Sequence, residues 1–173
     1  NKKYIRVEWM FMLAILAGIT YHMTFLLLEG YLPAPFFYET YDTWMDWFNT
    51  AFWAREPGAY DVWRTIYPPI TFVFLKIFGI DSCYTGPVEA RQCDWLGIAV
   101  MHGIFVMNIF LIARTYIRLD RRTALPRSVA LAAGMPMLFA LERGNVIIIC
   151  FSCLILAFGP LVKSARLRAI FAG

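Results

Sequence analysis

The chain has 173 residues, of which 60% are hydrophobic, 17% aromatic and only 16% charged, whereas soluble domains are about 45–50% apolar and about 25% charged. This composition predicts an all-α, polytopic integral membrane protein and excludes a soluble cytosolic enzyme. The net charge of +4 does not indicate nucleic-acid binding, because the basic residues flank apolar segments instead of forming one continuous patch.

The first predicted element is a membrane span over residues 9–28, which contain no Asp, Glu, Lys or Arg. The eight residues before it hold three basic side chains and one acidic side chain. Because Lys and Arg are enriched in the cytoplasmic segments of membrane proteins, the N-terminus is predicted to be cytoplasmic.

Residues 29–67 are predicted to form an external loop, since they hold six acidic side chains and only two basic ones. Within this loop an amphipathic helix is predicted over residues 42–54, lying along the membrane surface. The aromatic side chains expected to face the membrane are Trp44, Trp47 and Phe48. The polar side chains expected to share another face are Asp42, Asp46 and Asn49.

The next apolar segment, residues 66–80, has two competing interpretations. It is short, opens near two prolines and contains a lysine, which favours a re-entrant or interfacial helix. A short tilted span is the alternative, but it would place the acidic residues 81–95 in the cytoplasm and the arginine-rich residues 114–127 outside. The re-entrant interpretation is therefore preferred, and residues 81–95 are predicted to form a second external loop.

Four cysteines fit this arrangement in different ways. Cys83 and Cys93 are ten residues apart in the second external loop, where an oxidising compartment would allow a disulfide. The alternative is two free thiols in a cytoplasmic loop. Cys150 and Cys153 lie inside an apolar segment and are expected to be packing residues.

The second half of the chain predicts a span and a helical hairpin. Residues 96–113 form the span, and 114–127 form a cytoplasmic loop with five arginines and one aspartate. The apolar runs 128–141 and 145–162 form the hairpin, so that about four or five membrane segments are expected in total. The charges that interrupt the hairpin at 142–144 should face protein or a wet cavity, because charge is costly in lipid.

Several short motifs occur in a characteristic order along the chain. An Asp after the first span is followed by a Gly, a Tyr and a Tyr-Pro-Pro, and a later Gly-Asn separates two apolar runs. The positions are Asp46, Gly58, Tyr60, Tyr67-Pro68-Pro69 and Gly144-Asn145. This order resembles the C-type membrane glycosyltransferases, especially the polyprenyl-phosphate-sugar-dependent α-mannosyltransferases of glycosyltransferase family 87. That family has a Gln within the later element, which this chain lacks. Its members are usually longer, so this chain is expected to be an N-terminal portion.

The resemblance implies transfer of a sugar from a polyprenyl-phosphate donor to a glycan or lipid acceptor at the extracytoplasmic face, with inversion at the anomeric carbon. Asp46 is the candidate general base, and Asp42, one turn away, is the alternative. The departing lipid phosphate requires cations and hydrogen-bond donors. The candidate substrate-binding residues are Arg143, Asn145, Glu142, Arg64 and Tyr67. A purely structural pairing of Arg143 with the adjacent glutamate is the open alternative.

No metal and no cofactor is expected for this reaction. His22 and His102 lie in different apolar segments and are expected to be hydrogen-bonded helix residues. Asn108 is expected to join neighbouring helices.

Two other functional classes compete with the transferase. One is a non-catalytic membrane subunit that packs against a larger complex. The other is a carrier of lipid-linked sugar, although no inverted repeat is visible. Polar residues at membrane depth favour the enzyme, because a passive anchor does not need them. The expected location is the inner or plasma membrane, or the endoplasmic reticulum membrane in a eukaryote.

Overall fold

The computed structural model describes residues 2–36 and 39–172. In this part of the chain the regular structure is entirely helical, as the composition predicts. The α-helices are α1 Lys2–Glu29, α2 Met45–Trp53, α3 Pro69–Ile77, α4 Pro87–Cys93, α5 Trp95–Ile117, α6 Ala124–Ala132, α7 Met135–Arg143, α8 Ile147–Phe158 and α9 Ala165–Ala172. Two 3-10 turns are formed by Thr40–Asp42 and Asp81–Cys83.

Two of these helices are long and apolar enough to cross a membrane. They are α1, over Arg6–Glu29, and α5, over Trp95–Ile117, and they contain the predicted spans 9–28 and 96–113. The pair α6 and α7, bent by 47°, is a third candidate if it is counted as one span. The four or five predicted segments are therefore not confirmed. The nine-residue helix α3 rises only about 14 Å, which is less than half of the roughly 30 Å hydrocarbon core.

The helix predicted over residues 128–141 is broken in the structure. Gly134 has an extended backbone, and the Met135-Pro136 pair that follows begins a new helix with proline in its first turn. Proline suits that position because the first turn does not use its N–H in the helical ladder. The sequence prediction missed this break, and it also missed α4, which lies in the predicted loop 81–95, and α9, which lies beyond the predicted hairpin.

The main core surrounds α2. Trp47 and Phe48 are 1% and 0% exposed, so the expectation that they face the membrane is wrong. The buried residues that pack together here are Trp47, Phe48, Ala51, Leu75, Cys83, Tyr84, Ala90, Met101 and Val146. The helices α3, α4 and α5 thus cover the apolar side of α2 with protein. An apolar helix face in the sequence does not distinguish a protein partner from lipid.

A second core joins the apolar helices. It contains Met12, Phe105, Val129, Ala133, Ala140 and Ile148. Beside it, the buried Asn108 amide donates to the Ile148 carbonyl oxygen at 3.0 Å and accepts from the Ser152 hydroxyl at 2.7 Å. This confirms the predicted role of Asn108 in joining helices. The two histidines also follow the prediction, since each ring bonds a carbonyl oxygen one turn earlier in its own helix.

A disulfide ties the Asp81–Cys83 turn to the end of α4, and a polar network beside it links a residue just after α2 to the start of α5. Cys83 and Cys93 are bonded, which confirms the predicted pairing. Their neighbours Tyr84 and Asp94 meet through a hydrogen bond of 2.6 Å from the Tyr84 hydroxyl. Burial, followed by this hydrogen bond, raises the pKa of Tyr84. The guanidinium of Arg55 lies 3.8 Å from the Tyr84 ring centre, so the C-terminal end of α2 is held in a defined position.

Candidate functional site

The first half of the site is the entry into α2. The predicted helix 42–54 begins only at Met45, because Trp44 has the left-handed backbone conformation, with φ 63°. Asp42 therefore lies in a separate 3-10 turn. The Trp44 N–H donates to the carbonyl oxygen of Glu142 at 2.8 Å. This bond holds the start of α2 against the end of α7.

The second half of the site is the junction between α7 and α8. Helix α7 ends at Arg143 because Gly144 adopts φ 69°, a conformation that glycine tolerates better than other residues. A Cβ atom on Gly144 would lie 2.9 Å from the Trp44 backbone and 2.9 Å from Trp47 Cβ. The absence of a side chain at position 144 therefore allows the two halves of the site to approach.

An ion-pair cluster forms where the two halves meet. One guanidinium nitrogen of Arg143, Nη2, lies 2.7 Å from Asp46 Oδ1, and the other, Nη1, lies 3.3 Å from Asp42 Oδ2. The Asn145 amide donates to Asp46 Oδ2 at 3.2 Å. The Arg143 and Asp46 side chains are 22% and 24% exposed. The cluster is thus partly desolvated but still accessible from outside.

The side chains of Glu142 and Arg143 line different pockets. The Glu142 side chain is 4% exposed and lines a mainly apolar pocket of about 120 Å³ on the side of His22 and His102. Arg143 instead pairs with Asp46 and Asp42. The carboxylate of Glu142 is therefore not among the groups that line the cleft of Arg143, where the sequence prediction expected it.

The cluster opens into a cleft of about 480 Å³, which we call the arginine cleft. Its polar lining is Asp42, Asp46, Arg143 and Asn145. Its apolar lining is Pro136, Phe139, Ala140 and Ile147. A cleft with this division fits a ligand that has a charged or polar group next to an apolar chain.

A second cleft, of about 240 Å³, also has Asp46 in its lining, and we call it the tryptophan cleft. Its polar lining is Asp46, Asn49, Thr50, Arg64, Thr65 and Tyr67. Its apolar lining is Trp53, Trp63 and Ile66. Asp46 belongs to both clefts. Burial, followed by the negative charge of Asp46, raises the pKa of the Tyr67 hydroxyl.

The structure separates residues that the sequence prediction had grouped. Arg64 and Tyr67 were grouped with Arg143 as substrate-binding residues, but they line the tryptophan cleft, whereas Arg143 lines the arginine cleft. The sequence analysis missed Trp53 and Trp63 as site residues. For Trp53 a signal was present, since positions 46, 49, 50 and 53 share one face of a helix.

No known protein family, curated protein or solved structure matches the chain. Among the residues that the structure describes, there is no group of three or more His, Cys, Asp or Glu side chains arranged to hold a metal ion. The site itself offers two carboxylates, two arginines and two amides, in two clefts that share Asp46.

Proposed function

We propose that this protein is a membrane glycosyltransferase that moves a sugar from a polyprenyl-phosphate donor to a hydroxyl acceptor, with inversion at the anomeric carbon. The observation that carries the proposal is the contact between Asp46 and Arg143 at the edge of the arginine cleft. It brings a carboxylate and a guanidinium together from positions 97 residues apart. The apolar part of the same cleft suits the first isoprene units of a lipid phosphate.

The proposed reaction needs a base and a cation at the same moment. The acceptor oxygen forms a bond to the anomeric carbon while its proton passes to the Asp46 carboxylate. The bond between the anomeric carbon and the phosphate oxygen breaks, and the electron pair leaves with the polyprenyl phosphate. The phosphate gains negative charge in this step, and the Arg143 guanidinium is suited to stabilise it.

The resting ion pair adds a condition to this mechanism. Oδ1 of Asp46 is engaged by Arg143, and Oδ2 accepts from Asn145. A donor phosphate that takes over the guanidinium of Arg143 would release Oδ1 to accept a proton. Donor binding and exposure of the base are then the same event, and water has little access to an activated base before the donor arrives.

Sugar transfer by the full-length protein in liposomes tests the proposal, with a radiolabelled polyprenyl-phosphate sugar as donor. Asp46→Asn should keep donor binding but lower turnover by about 10²–10⁴-fold, because only assistance in the transition state is lost. Arg143→Gln should also weaken donor binding. Glu8→Gln is the matched control, since it removes another ion pair of 2.7 Å, to Arg127, far from the clefts in sequence. It should leave turnover unchanged.

The two aspartates are distinguished in the same assay. Asp42 lies farther from Arg143 and is 49% exposed, so Asp42→Asn should have the smaller effect. An inactive Asp42→Asn beside an active Asp46→Asn would assign the base to Asp42. Full activity of both variants would show that neither is the base.

The non-catalytic subunit is the second candidate. One observation favours it: only 6% of the apolar stretch of α1 is buried within the chain, which leaves most of this helix to contact lipid or another membrane protein. Failure of the wild type to transfer sugar from any polyprenyl-phosphate donor would favour the subunit over the enzyme.

A further inference from the structure

The tryptophan cleft has a wall that the proposed transfer step does not require. One side of the cleft is α2, which contributes Asn49 and Trp53. The other side is the segment 58–67, which contains Trp63 and Arg64. An aromatic and cationic wall beside the candidate base therefore needs its own explanation.

The wall formed by residues 58–67 is held by internal hydrogen bonds. The N–H groups of Val62 and Trp63 both donate to the Gly58 carbonyl oxygen, at 2.8 and 3.1 Å. The Tyr60 hydroxyl donates to the Tyr67 carbonyl oxygen at 2.9 Å. These bonds fold the segment back on itself. The side chains of Trp63 and Arg64 are thus carried on a folded turn next to α2.

The aromatic part of the cleft is a pair of nearly parallel indoles. The ring centres of Trp53 and Trp63 are 6.2 Å apart, with 20° between the planes, and Trp63 remains 40% exposed. The face of an aromatic ring carries partial negative charge and attracts the C–H groups of an aliphatic ring. A sugar ring offers such a C–H face together with hydroxyl groups, and the half-buried Asn49 supplies a polar partner nearby.

The cationic part of the cleft is Arg64. It makes no salt bridge within the part of the chain that the structure describes, and its planar guanidinium matches phosphate and carboxylate. Its backbone has φ 51°, a conformation that residues other than glycine rarely adopt. Among the described residues, the other non-glycine residue with positive φ is Trp44, two positions before Asp46. Such conformations are concentrated at functional sites.

We propose that the tryptophan cleft binds the acceptor, and that this acceptor is a sugar ring bearing a phosphate or carboxylate group. Its ring lies on Trp63, its anionic group pairs with Arg64, and its attacking hydroxyl points to Asp46. This inference rests on the proposed transferase function. Inverting displacement requires the acceptor and the leaving group on opposite faces of the anomeric carbon. Two clefts that share Asp46 give the acceptor and the donor separate sites beside one base.

Binding to the full-length protein, measured by isothermal titration calorimetry in detergent without donor, tests the inference. The probes are glucose 6-phosphate, methyl glucoside and inorganic phosphate. Arg64→Gly removes the cation and permits the positive φ, so loss of binding cannot be attributed to a strained backbone. Trp63→Leu removes the aromatic face. The matched controls are Arg166→Gln and Trp95→Leu, at an exposed cation and an exposed indole outside both clefts.

Each cleft variant should weaken glucose 6-phosphate binding at least tenfold, and the controls should not change it. Binding of methyl glucoside should be weakened by Trp63→Leu alone, and binding of inorganic phosphate should be weakened by Arg64→Gly alone. Absence of glucose 6-phosphate binding by the wild type would overturn the inference. In nanodiscs that contain phosphatidylglycerol, binding should persist. Its loss there would assign the cleft to a lipid phosphate and overturn the sugar assignment.

The transfer assay separates this inference from the proposed function. Both cleft variants should raise the acceptor KM while donor binding stays unchanged. If both variants transfer sugar with an unchanged acceptor KM, the acceptor-site inference is overturned and the proposed transferase function still stands. Conversely, the wild type could bind glucose 6-phosphate, with binding weakened by both cleft variants, and yet transfer no sugar. That result would refute the transferase and leave a carbohydrate-binding cleft.

Discussion

Gly144→Ala should separate the two halves of the site, because position 144 has no room for a side chain. Two costs add. A left-handed backbone costs an L-residue roughly 1–2 kcal/mol, and forcing a methyl group into a packed contact costs about 1–3 kcal/mol. The new Cβ would meet Trp44 and Trp47 at 2.9 Å. The expected destabilisation is therefore about 2–5 kcal/mol.

The assay is thermal unfolding of the purified protein in detergent, followed by intrinsic fluorescence. At about 2–4 °C per kcal/mol for a chain of this length, the expected cost of about 2–5 kcal/mol should lower the Tm of Gly144→Ala by about 4–20 °C. Gly103→Ala is the matched control, since it lies within α5 and a Cβ there meets no atom within 4 Å. It should raise or maintain Tm, because alanine is the better helix former by up to about 1 kcal/mol.

A second substitution distinguishes the two costs. Asn tolerates the left-handed conformation better than Ala does, but its Cβ meets the same atoms. Gly144→Asn should therefore remain destabilising by about 1–3 kcal/mol. An unchanged Tm in both variants would refute the close approach of the α7–α8 junction to α2, and with it the geometry of the site.

Three further predictions concern the scaffold. Reduction of the Cys83–Cys93 disulfide should cost about 3 kcal/mol of stability, because opening the loop restores conformational entropy to the unfolded chain, and reductant should lower the Tm of the wild type but not of Cys93→Ser. Hydrogen bonds from the backbone N–H two residues later and the hydroxyl three residues later lower the pKa of Asp120. The stabilisation of the fold by the ionised Asp120 carboxylate is thus complete above the ordinary pKa of 3.8 and is lost as pH falls through the lowered pKa. Asp120→Asn should therefore flatten the acid side of the plot of Tm against pH. An unchanged acid side would contradict this role of Asp120. Asn108→Leu should cost about 0.5–2 kcal/mol, measured as a lower Tm, and no loss would show that the buried amide does not join the helices.

Part of this architecture could be predicted from local sequence signals. The candidate spans α1 and α5 follow from charge-free apolar runs, and the disulfide follows from two cysteines at a short spacing. The break between α7 and α8 follows from Glu-Arg-Gly-Asn within apolar residues, because glycine often ends a helix and charged side chains are costly in lipid. Each of these signals depends on a few neighbouring residues.

The remainder depends on contacts between distant segments. Trp47 and Phe48 form an apolar helix face that fits lipid or protein equally well, and only α3, α4 and α5 make it a protein core. The pairing of Arg143 with Asp46 joins residues that no local pattern connects. Its alternative partner, Glu142, is adjacent in sequence, but the helix directs that side chain to another pocket.

The most direct test of the central claim is a double-mutant cycle between Asp46 and Arg143, measured as single-turnover transfer of labelled sugar from a saturating polyprenyl-phosphate donor. Residues that act in one transition state have non-additive effects. The rate of the double variant Asp46→Asn/Arg143→Gln should therefore be within about tenfold of the slower single variant. A double variant whose rate falls by the product of the two single effects would contradict the claim that these residues form one catalytic unit.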